Sequence, residues 1–467
     1  MANGDFHSFF SPEGVVIVGA RRSMGFGFGI PAFLKKNGWG DRTFLVNPSG
    51  GEIGGMKAYQ KIADVPGPVD LAIVIVPANA IAGALTQIAE RGIRHVIIES
   101  AGFAETGEKG RILQEEIREL AARLGLRVIG PNCVGVINTE NRFASVELLE
   151  ESLTPGPLSV IAQSGVFGNI LLDFLFQRGI YVSKAITLGN RIDVNECDML
   201  DYLYDDPATK VIAIYLEGAA DGARLHRTLA RVTKKKPVII LKSGRTSQGK
   251  QATASHTGSL SGEDEIYNGI FAQTATVRAE SLPQLIDFAK VFTTQPLPQG
   301  NRLGVVTSSG SMGALATDVA VAGGLSLEPL SEATVRQVRD IAPDWMNVKN
   351  PLDLGPSGLF NQLTPMLIND PQVDMALLII AVPYSYIKVI KQMGVKLADA
   401  FGELHEVRAK LAAPKPFVIT VVGHADLVDE ISDIAGDEIP VFTSPEAAAA
   451  ALAGLWKYTK NVGKTKA

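Results

Sequence analysis

The stretch Gly14-Val-Val-Ile-Val-Gly19 runs directly into the glycine-rich stretch Ala20-Arg-Arg-Ser-Met-Gly-Phe-Gly-Phe-Gly29. The apolar run predicts a buried parallel strand, and residues 30–37 after the glycines predict a helix. A strand, a glycine-rich turn and a helix in this order are typical of doubly wound sheets that bind phosphate on main-chain N–H groups. Further apolar runs, separated by helix-length segments, are Arg42–Val46, Leu71–Val76, His95–Ile98 and Arg127–Ile129. We therefore predict a Rossmann-like α/β domain over residues 1–140.

The sequence lacks two nucleotide-binding motifs, and their absence limits the choice of ligand for this first domain. The glycines at 25, 27 and 29 do not form G-x-G-x-x-G, and the second strand ends at Val46-Asn-Pro-Ser49, without the acid that binds the ribose of a dinucleotide. The P-loop motif G-x-x-x-x-G-K-[ST] is absent from the sequence as well. A phosphate-bearing ligand such as coenzyme A remains, with Arg21, Arg22 and Ser23 available for its phosphate groups. Two alternatives stay open: an NAD-dependent oxidoreductase, or arginines that only cap a solvated turn.

Two later segments repeat each other at a constant offset of 145 residues. Leu158-Ser-Val-Ile-Ala162 runs into Gln163-Ser-Gly-Val-Phe-Gly168, and Leu303-Gly-Val-Val-Thr307 runs into Ser308-Ser-Gly-Ser-Met-Gly313. Each segment predicts a strand followed by a helix, the first through residue 176 and the second through residue 322. The sequence thus predicts two related α/β domains, over residues 150–292 and 300–460.

Each copy places a Ser-Gly-x-x-Gly pattern where the strand passes into the helix. Unpaired N–H groups and the helix dipole at such a junction favour a bound anion by about 0.3 to 2 kcal/mol. Two such helix ends, directed at one point, would hold a dianionic phosphoryl group without a cluster of lysines. The predicted phosphate-binding residues are Ser164, Gly165, Val166, Ser309, Gly310 and Ser311. Alternatively, the small residues only allow the helix to pack closely against the strand.

His256 lies between Lys242 and Gly262, in a stretch rich in Gly, Ser and Thr that predicts a long loop after a buried strand at 237–241. We expect the next helix to begin at residue 263. An earlier strand at 211–216 ends at Glu217, which places a carboxylate at the edge of the sheet where ligands bind in open α/β folds. Glu217 could then hydrogen-bond one imidazole nitrogen of His256 and leave the other as nucleophile. The alternatives are a solvated histidine in a mobile loop and an exposed acid at a strand end.

Composition excludes several classes of protein. The chain has 467 residues, of which 46% are hydrophobic and 20% charged, enough for large buried cores. The net charge of −5 gives no reason to expect nucleic acid or an anionic membrane as partner. No run of apolar residues is long enough to predict a membrane span. Two cysteines, Cys133 and Cys197, suit a reducing compartment, so we expect a cytoplasmic protein. The histidines show no metal-ligand spacing, and we expect no protein-bound metal.

Several short motifs, spread in order along nearly the whole chain, resemble those of one family. They are Gly130-Pro-Asn-Cys133, Gln163-Ser-Gly165, Leu188-Gly-Asn190, Tyr215-Leu-Glu-Gly218, Ser243-Gly-Arg-Thr246 and Ser255-His-Thr-Gly-Ser-Leu-Ser-Gly262. The chain resembles the α subunit of the ADP-forming (NDP-forming) acyl-CoA synthetases, relatives of succinyl-CoA synthetase. The resemblance implies a Rossmann-like CoA-binding domain followed by two flavodoxin-like parallel-sheet domains, the first of them the ligase domain.

The resemblance also implies roles for individual residues. His256 would be the phosphorylated histidine and Glu217 the acid that supports it, while the helices that begin at Gly165 and Gly310 would cradle the phosphohistidine. Ser49 stands where many members of the family have lysine. The implied coenzyme A site consists of Gly19, Ala20, Arg21, Arg22, Ser23, Asn47, Pro48, Ser49, Val76, Pro77, Ser100, Ala101, Gly102 and Asn132.

The implied reaction converts an acyl-CoA, ADP and phosphate reversibly into the free acid, ATP and CoA. It passes through an acyl phosphate and through a phosphohistidine on a swinging loop. No segment of this sequence resembles the ATP-grasp domain that binds nucleotide in the family. The resemblance therefore implies a β subunit that binds ADP or ATP with Mg²⁺, in an α2β2 assembly. The alternative from another class is a CoA-binding sensor or scaffold that has the same fold and no turnover.

Overall fold

The computed structural model describes residues 6–25, 27–148, 150–257, 262–394, 401, 406, 407 and 410–466. The chain divides into two compact units, Met1–Glu280 and Ser281–Ala467. Among the described residues, the first unit holds two sheets and the second unit holds one. The predicted α/β class with mostly parallel sheets is confirmed. In the same part of the chain, no helix combines the length and the apolar composition needed to cross a membrane.

The first sheet is built around the apolar run at the start of the chain. Its strands are β1 (Val15–Val18), β2 (Thr43–Val46), β3 (Gly51–Ile53), β4 (Met56–Tyr59), β5 (Leu71–Val74), β6 (His95–Ile98) and β7 (Arg127–Ile129). They pair in the order β3-β4-β2-β1-β5-β6-β7, parallel except for the β3–β4 hairpin. Because β1 lies at the centre, the glycine-rich turn that follows it opens at the carboxyl edge between β2 and β5.

The second sheet extends a set of parallel strands with an antiparallel pair. Its strands are β8 (Gly135–Asn138), β9 (Phe143–Ala144), β10 (Pro155–Ala162), β11 (Val182–Thr187), β12 (Val211–Leu216), β13 (Val238–Lys242) and β14 (Val277–Ala279). They pair in the order β14-β13-β12-β10-β11-β8-β9, with β8 antiparallel to β11 and to β9. Residues 135–138, which the sequence assigns to the first domain, therefore pair in the second sheet. The strands β10, β12 and β13 are neighbours and end at the same edge.

The third sheet is entirely parallel. Its strands are β15 (Leu303–Thr307), β16 (Leu352–Asp353), β17 (Met375–Ala381), β18 (Phe417–Val422) and β19 (Val441–Phe442). They pair in the order β16-β15-β17-β18-β19. This order, in which the first strand lies second in the sheet, is that of flavodoxin-like folds.

Helices separate most of the parallel strands. Those of the first unit are α1 (His7–Phe10), α2 (Ile30–Leu34), α3 (Ile81–Glu90), α4 (Glu108–Arg123), α5 (Gly165–Phe176), α6 (Glu196–Asp205), α7 (Gly222–Val232), α8 (Ser247–Thr257) and α9 (Asp264–Gln273). Those of the second unit are α10 (Leu282–Thr294), α11 (Gly310–Ala322), α12 (Glu332–Arg339), α13 (Phe360–Ile368), α14 (Tyr384–Gln392), α15 (Ala425–Ala435) and α16 (Pro445–Lys466). The predicted helices that start at the two Ser-Gly-x-x-Gly patterns are confirmed at both ends.

Two predictions about local structure are wrong. The loop predicted between residues 242 and 262 contains α8, because the hydroxyl of Thr246 accepts the N–H of Gly249 at 3.1 Å and so caps a helix that alanine and glutamine then favour. The helix predicted over 30–37 is also shorter than expected. It passes at Leu34 into a π-helical turn in which Gly38 has a left-handed φ of +88°.

Candidate functional site

The turn after β1 brings the main chain close to a neighbouring strand. Gly19 has a φ of +92°, and a Cβ atom there would lie 2.7 Å from the carbonyl oxygen of Ile75. The N–H groups of Gly19 and Ala20 both donate to the carbonyl oxygen of Val46, at 2.9 and 3.2 Å. The side-chain amide of Asn47 donates to the carbonyl oxygen of Ala20 at 2.9 Å. Glycine is therefore required at position 19, and the turn is held against the loop that follows β2.

The next three residues present polar side chains to solvent. Arg21, Arg22 and Ser23 are all exposed. The guanidinium of Arg22 donates to the carbonyl oxygen of Gly50, which holds it beside the loop after β2. Two guanidinium groups and a hydroxyl at the carboxyl edge of a Rossmann-like sheet fit the phosphate groups of coenzyme A.

The N-terminus of α2 does not offer its first N–H group to a ligand. The N–H of Gly29 donates to Oε1 of Glu147 at 2.6 Å. Moreover, α2 has only five residues. A carboxylate of the chain itself therefore occupies the position beside this N–H group. The arginines and main-chain groups of the turn remain for the phosphates.

The other predicted coenzyme A residues lie at the same edge of the first sheet, in the loops after β2, β5, β6 and β7. Asn47-Pro-Ser49 forms a turn in which the N–H of Ser49 donates to Oδ1 of Asn47 at 2.9 Å. The hydroxyl of Ser100 donates to the carbonyl oxygen of Val76 at 2.6 Å, and the carbonyl oxygen of Ser100 accepts the N–H of Asn132 at 3.0 Å. Neighbours in these loops are Pro77, Ala101 and Gly102.

Glu105 organises the loop after β6. Its Oε1 accepts the N–H groups of Gly102 and Phe103 at 2.6 and 3.0 Å, and its Oε2 accepts the side-chain amide of Asn190 at 2.7 Å. Burial alone would raise the pKa of Glu105, but the hydrogen bonds from Asn190, Phe103 and Gly102 outweigh it and hold the pKa below its ordinary value. One carboxylate thus joins the loop after β6 to the segment after β11.

Gln163 and Glu217 meet at the carboxyl edge of the second sheet. Glu217 follows β12 and is only 3% exposed, so its reading as an exposed acid is wrong. Oε1 of Gln163 accepts the N–H groups of Glu217 and Gly218 at 2.6 and 3.1 Å. Its Nε2 donates to the carbonyl oxygen of Gly218 at 2.7 Å. The Glu217 main chain is therefore fixed by the residue that precedes the first Ser-Gly-x-x-Gly helix.

A buried ion pair supports Gly218 from another direction. Nη1 of Arg191 donates to the carbonyl oxygen of Gly218 at 2.7 Å and to Oε2 of Glu196 at 2.9 Å. The side chains of Arg191 and Glu196 are 13% and 3% exposed. Because a buried charge without its partner is strongly destabilising, this pair is expected to hold its geometry firmly.

The N-terminus of α5 lies next to this arrangement. The hydroxyl of Ser164 accepts the N–H of Phe167 at 3.4 Å and caps the helix. A Cβ atom on Gly165 would lie 2.5 Å from the Val134 side chain, so glycine permits the close approach of that loop. The next residue, Val166, is 70% exposed. The first predicted anion site is therefore a capped helix end directly after Gln163.

The corresponding end of α11 has a different neighbourhood. The hydroxyls of Ser309 and Ser311 are 3.0 Å apart, and the N–H of Ser309 donates to the hydroxyl of Thr307 at 3.0 Å. A Cβ atom on Gly310 would lie 2.8 Å from Oδ2 of Asp353, so a carboxylate already stands beside this helix end. The two copies of the repeat are alike in main-chain structure and unlike in the charge around them.

His256 lies in α8, but its side chain and residues 258–261 fall outside the described part of the chain. The predicted contact between His256 and Glu217 therefore stays a prediction. The helix itself packs against the turn Ala104–Thr106, which contains Glu105. It begins five residues after β13, the strand next to β12. The segment that carries His256 thus packs against the loop after β6 and follows the strand next to the one that ends at Glu217.

The sequence alone predicts no role for Gln163, Arg191, Glu105 or Lys242. Each of them follows or ends a parallel strand, or lies in the loop after one. A polar residue at such a position is the signal that could have singled them out, because the carboxyl ends of parallel strands converge on one edge. The partner of each side chain could not be inferred, because the partners are far apart in sequence.

The two cysteines are not nucleophiles. Burial, reinforced by the nearby Glu99, raises the pKa of the Cys133 thiol, and burial raises the pKa of Cys197 to about 12. Both are free and buried. Within the described ranges, no three His, Cys, Asp or Glu side chains come together in a way that could hold a metal ion.

Comparison with known proteins assigns the chain to a family. Residues 13–139 match the model of a CoA binding domain, and residues 155–292 match that of a succinyl-CoA ligase like flavodoxin domain. Over 460 residues the chain is 35% identical to the alpha subunit of acetate–CoA ligase [ADP-forming] II from Pyrococcus furiosus, covering 97% of this chain and 98% of that subunit. The chain belongs to the ADP-forming acyl-CoA synthetase family. The predicted resemblance is confirmed, and with it the choice of coenzyme A over NAD.

This acyl-CoA synthetase chain is also similar to a longer protein and to a protein of known structure. Acetate–CoA ligase [ADP-forming] II from Archaeoglobus fulgidus is 38% identical over 355 residues, which cover 75% of this chain and 52% of that protein. Acetyl-coenzyme A synthetase 1 from Ca. Korarchaeum cryptofilum, solved with phosphate and ADP, superimposes with a TM-score of 0.90 at 28% identity. That superposition covers 100% of this chain and 99% of the solved one.

Proposed function

We propose that the chain is the α subunit of an ADP-forming acyl-CoA synthetase that acts on a small acid, with acetate the first candidate. One observation carries the proposal. Glu217 is buried at the end of β12, held by Gln163, and β12 pairs with the strand that leads into the helix of His256. Acetate ranks first because relatives similar over nearly the whole chain are named as acetate–CoA ligases.

The proposed reaction has three steps. In the direction of ATP synthesis, an oxygen of inorganic phosphate attacks the thioester carbonyl, the C–S bond breaks, and CoA leaves with the proton released by phosphate. A neutral nitrogen of His256 then attacks the phosphorus of the acyl phosphate, and the free carboxylate leaves. Finally an oxygen of ADP attacks the phosphorus of phosphohistidine, the P–N bond breaks, and ATP and free histidine result.

The residues of this chain would supply binding and orientation. Arg21, Arg22 and Ser23 would hold phosphate groups of coenzyme A. Glu217 would accept a hydrogen bond from the imidazole of His256, which fixes the tautomer and increases nucleophilicity. The helix ends at Gly165 and Gly310 would receive the phosphoryl group on their N–H groups. Asp353 would have to turn away for the second of these ends to do so.

A second chain would complete the enzyme. We propose a β subunit with an ATP-grasp domain that binds ADP or ATP with Mg²⁺, in an α2β2 assembly. The alpha-subunit names of the Pyrococcus furiosus relatives support a separate partner. We propose the cytoplasm as the location, because ADP and coenzyme A are found there and both cysteines are free.

Labelling of the histidine tests the proposal. The α subunit, co-purified with its β subunit, is incubated with ATP labelled at the γ-phosphate and Mg²⁺, and the protein is analysed for acid-labile, base-stable label. We expect label on His256, its loss in His256→Asn, and full labelling in the control His226→Asn, whose histidine lies in α7. The purified α chain alone should make no ATP from acyl-CoA, ADP and phosphate.

The same experiment decides the alternative. A sensor or scaffold would bind coenzyme A but acquire no label and release no ATP. Undiminished ATP synthesis by the His256→Asn complex would refute the proposed route. A panel of acids, with acetate first, then identifies the acyl group.

A further inference from the structure

Lys242 is a buried lysine at the base of the segment that carries His256. It is the last residue of β13 and only 1% exposed. Its Nζ donates to the carbonyl oxygen of Ser243 at 2.5 Å and lies 4.7 Å from the ring centroid of Tyr267. Among the described residues, no carboxylate lies within ion-pair distance of this ammonium. Because burying an ammonium without an ion pair is unfavourable, a lysine here needs a reason beyond packing.

Tyr267 connects three segments of the chain. It lies in α9, just beyond the His256 segment, and its ring faces Lys242, just before that segment. Its hydroxyl accepts the N–H of Ala219 at 2.8 Å, two residues after Glu217. A Cβ atom on Gly262 would lie 3.1 Å from the ring, so the end of the segment passes directly over it. The Tyr267 side chain therefore contacts both ends of the His256 segment and the chain just after Glu217.

Two glycines with left-handed main chains lie just inside this contact. Gly244 has a φ of +68° and Gly262 a φ of +69°. Glycine adopts such angles and departs from them at little cost, which suits a hinge.

We infer that Lys242 and Tyr267 form a positioning pair, the base clasp, that fixes both ends of the His256 segment against the Glu217 strand end. The inference rests on the proposed function, since the segment needs a fixed base only if it delivers His256 to Glu217. The cation–π contact holds the two ends together, and the hydrogen bond to Ala219 sets their distance from Glu217. Neither residue needs to touch the phosphoryl group.

The charge of Lys242 serves the same purpose. Burial lowers the pKa of Lys242 to about 8, while the carboxylates of Asp264 and Glu217 act against this shift. The other charged groups that face it are Arg278 on β14, paired with Asp264 at 2.8 Å, and Lys250 on α8. The contacts of the ammonium with Ser243 and Tyr267 therefore weaken when Lys242 loses its proton above about pH 8.

The clasp is tested on the complete αβ complex with three variants. Lys242→Met keeps the length and apolar stem of the side chain and removes the charge. Tyr267→Phe keeps the ring and removes the bond to Ala219. Lys235→Met is the matched control, because Lys235 also lies over a tyrosine ring, 4.4 Å from Tyr204, on the surface away from the site.

The readout is the single-turnover rate of His256 labelling by ATP, compared with the KM for acyl-CoA. We expect Lys242→Met to slow labelling about tenfold or more, with KM changed less than about twofold, because misplacement affects transfer and not CoA binding. The ratio of wild-type to Lys242→Met rate should fall as the pH rises through about 8, where the wild type loses the same charge. Lys235→Met should match the wild type.

Each result bears on the inference. Labelling of Lys242→Met at the wild-type rate, or a rate ratio that is constant between pH 7 and 9, would overturn it. If Lys242→Met does not fold, Tyr267→Phe decides: slower labelling at unchanged KM supports the clasp, and wild-type labelling refutes it. A wild-type complex that acquires no label refutes the proposed function, and the clasp fails with it. A labelled wild type with equally labelled variants refutes the clasp alone.

Discussion

Gln163 binds Gly218 through both ends of its side-chain amide, accepting its N–H at 3.1 Å and donating to its carbonyl oxygen at 2.7 Å. The same Oε1 accepts the N–H of Glu217. Replacing Gln163 with leucine leaves two buried N–H groups without their acceptor. We expect the free energy of unfolding to fall by about 2–4 kcal/mol and His256 labelling to slow about tenfold to a hundredfold. Urea unfolding and single-turnover labelling measure the two effects.

The matched control for this variant is Gln295→Leu in the second unit. Gln295 is also buried, and its amide accepts the N–H of Phe417 at 3.0 Å and donates to the carbonyl oxygen of Glu438 at 2.8 Å. Its replacement should destabilise its own unit by a similar amount and leave labelling unchanged. Equal labelling rates for the two variants would contradict the role given to Gln163.

Glu105→Gln should weaken coenzyme A binding. The neutral amide keeps one acceptor but loses the charge that holds the N–H groups of Gly102 and Phe103 and the amide of Asn190. Isothermal calorimetry with CoA should show a drop in affinity of about tenfold. The control is Glu108→Gln, in which an exposed residue loses its ion pair with Arg111 three positions on; this variant should bind CoA as the wild type does.

Glu105 should also contribute to the loss of stability at acid pH. Its pKa is lowered in the folded protein, so its stabilisation is present above the ordinary carboxyl pKa and is lost as the pH falls through the lowered folded value. The difference in stability between wild type and Glu105→Gln should therefore shrink below pH 4.5. A difference that stays constant from pH 6 to pH 3 would contradict the ionised state assigned here.

Gly19→Ala should destabilise the first domain, because φ of +92° is strained for alanine and its Cβ would meet the carbonyl oxygen of Ile75. We expect a loss of about 1–3 kcal/mol in the free energy of unfolding and weaker CoA binding. Gly83→Ala is the matched control in α3, where a Cβ atom would meet nothing within 4 Å. It should stabilise by about 0.4–1 kcal/mol. Denaturant unfolding that ranks the two alike would refute this account of the turn.

Glu99 should make the free energy of unfolding depend on pH in the opposite direction. It is 3% exposed, its Oε1 has no hydrogen-bond partner among the described residues, and burial, followed by the charge of Glu147, raises its pKa well above the ordinary value. Because the folded state retains a proton that the unfolded chain releases, this contribution to stability is present at low pH and is lost as the pH rises through the raised pKa. Glu99→Gln keeps the neutral form, so it should stabilise by about 1–3 kcal/mol at pH 8 and little at pH 4.

The control for that measurement is Glu90→Gln, which replaces an exposed carboxylate at the end of α3. Unfolding curves at pH 4, 6 and 8 for the three proteins suffice. A Glu99→Gln variant that is less stable than the wild type at pH 8 would show that the buried carboxylate is ionised and stabilising.

Local pattern was enough to predict much of the fold. The apolar runs that became β1, β10, β12, β13 and β15 are short and continuous, which is the pattern of buried parallel strands. The starts of α5 and α11 followed from Ser-Gly after a strand. Glu217 could be predicted as a site residue because it directly follows such a strand.

The rest depended on residues that are distant in sequence. Gln163 meets Gly218 across 55 positions and Arg191 meets the same carbonyl across 27, and no local pattern encodes either pairing. β8 pairs with β11 across about 50 positions, and no local pattern predicts which sheet it joins. The helix around His256 was missed because glycine and serine outweighed the single capping threonine in the composition.

Asn190 and Arg191 are consecutive, yet the first reaches Glu105 and the second reaches Gly218. A chimera that joins the first domain of one family member to the remainder of another would take the hydrogen-bonded residues Glu105 and Asn190 from different parents. Recombinant enzymes should therefore tolerate a crossover point only if both residues come from the same parent. Otherwise the chimera would lose the hydrogen bond between Glu105 and Asn190, and with it the connection between the loop after β6 and the strand end at Gly218.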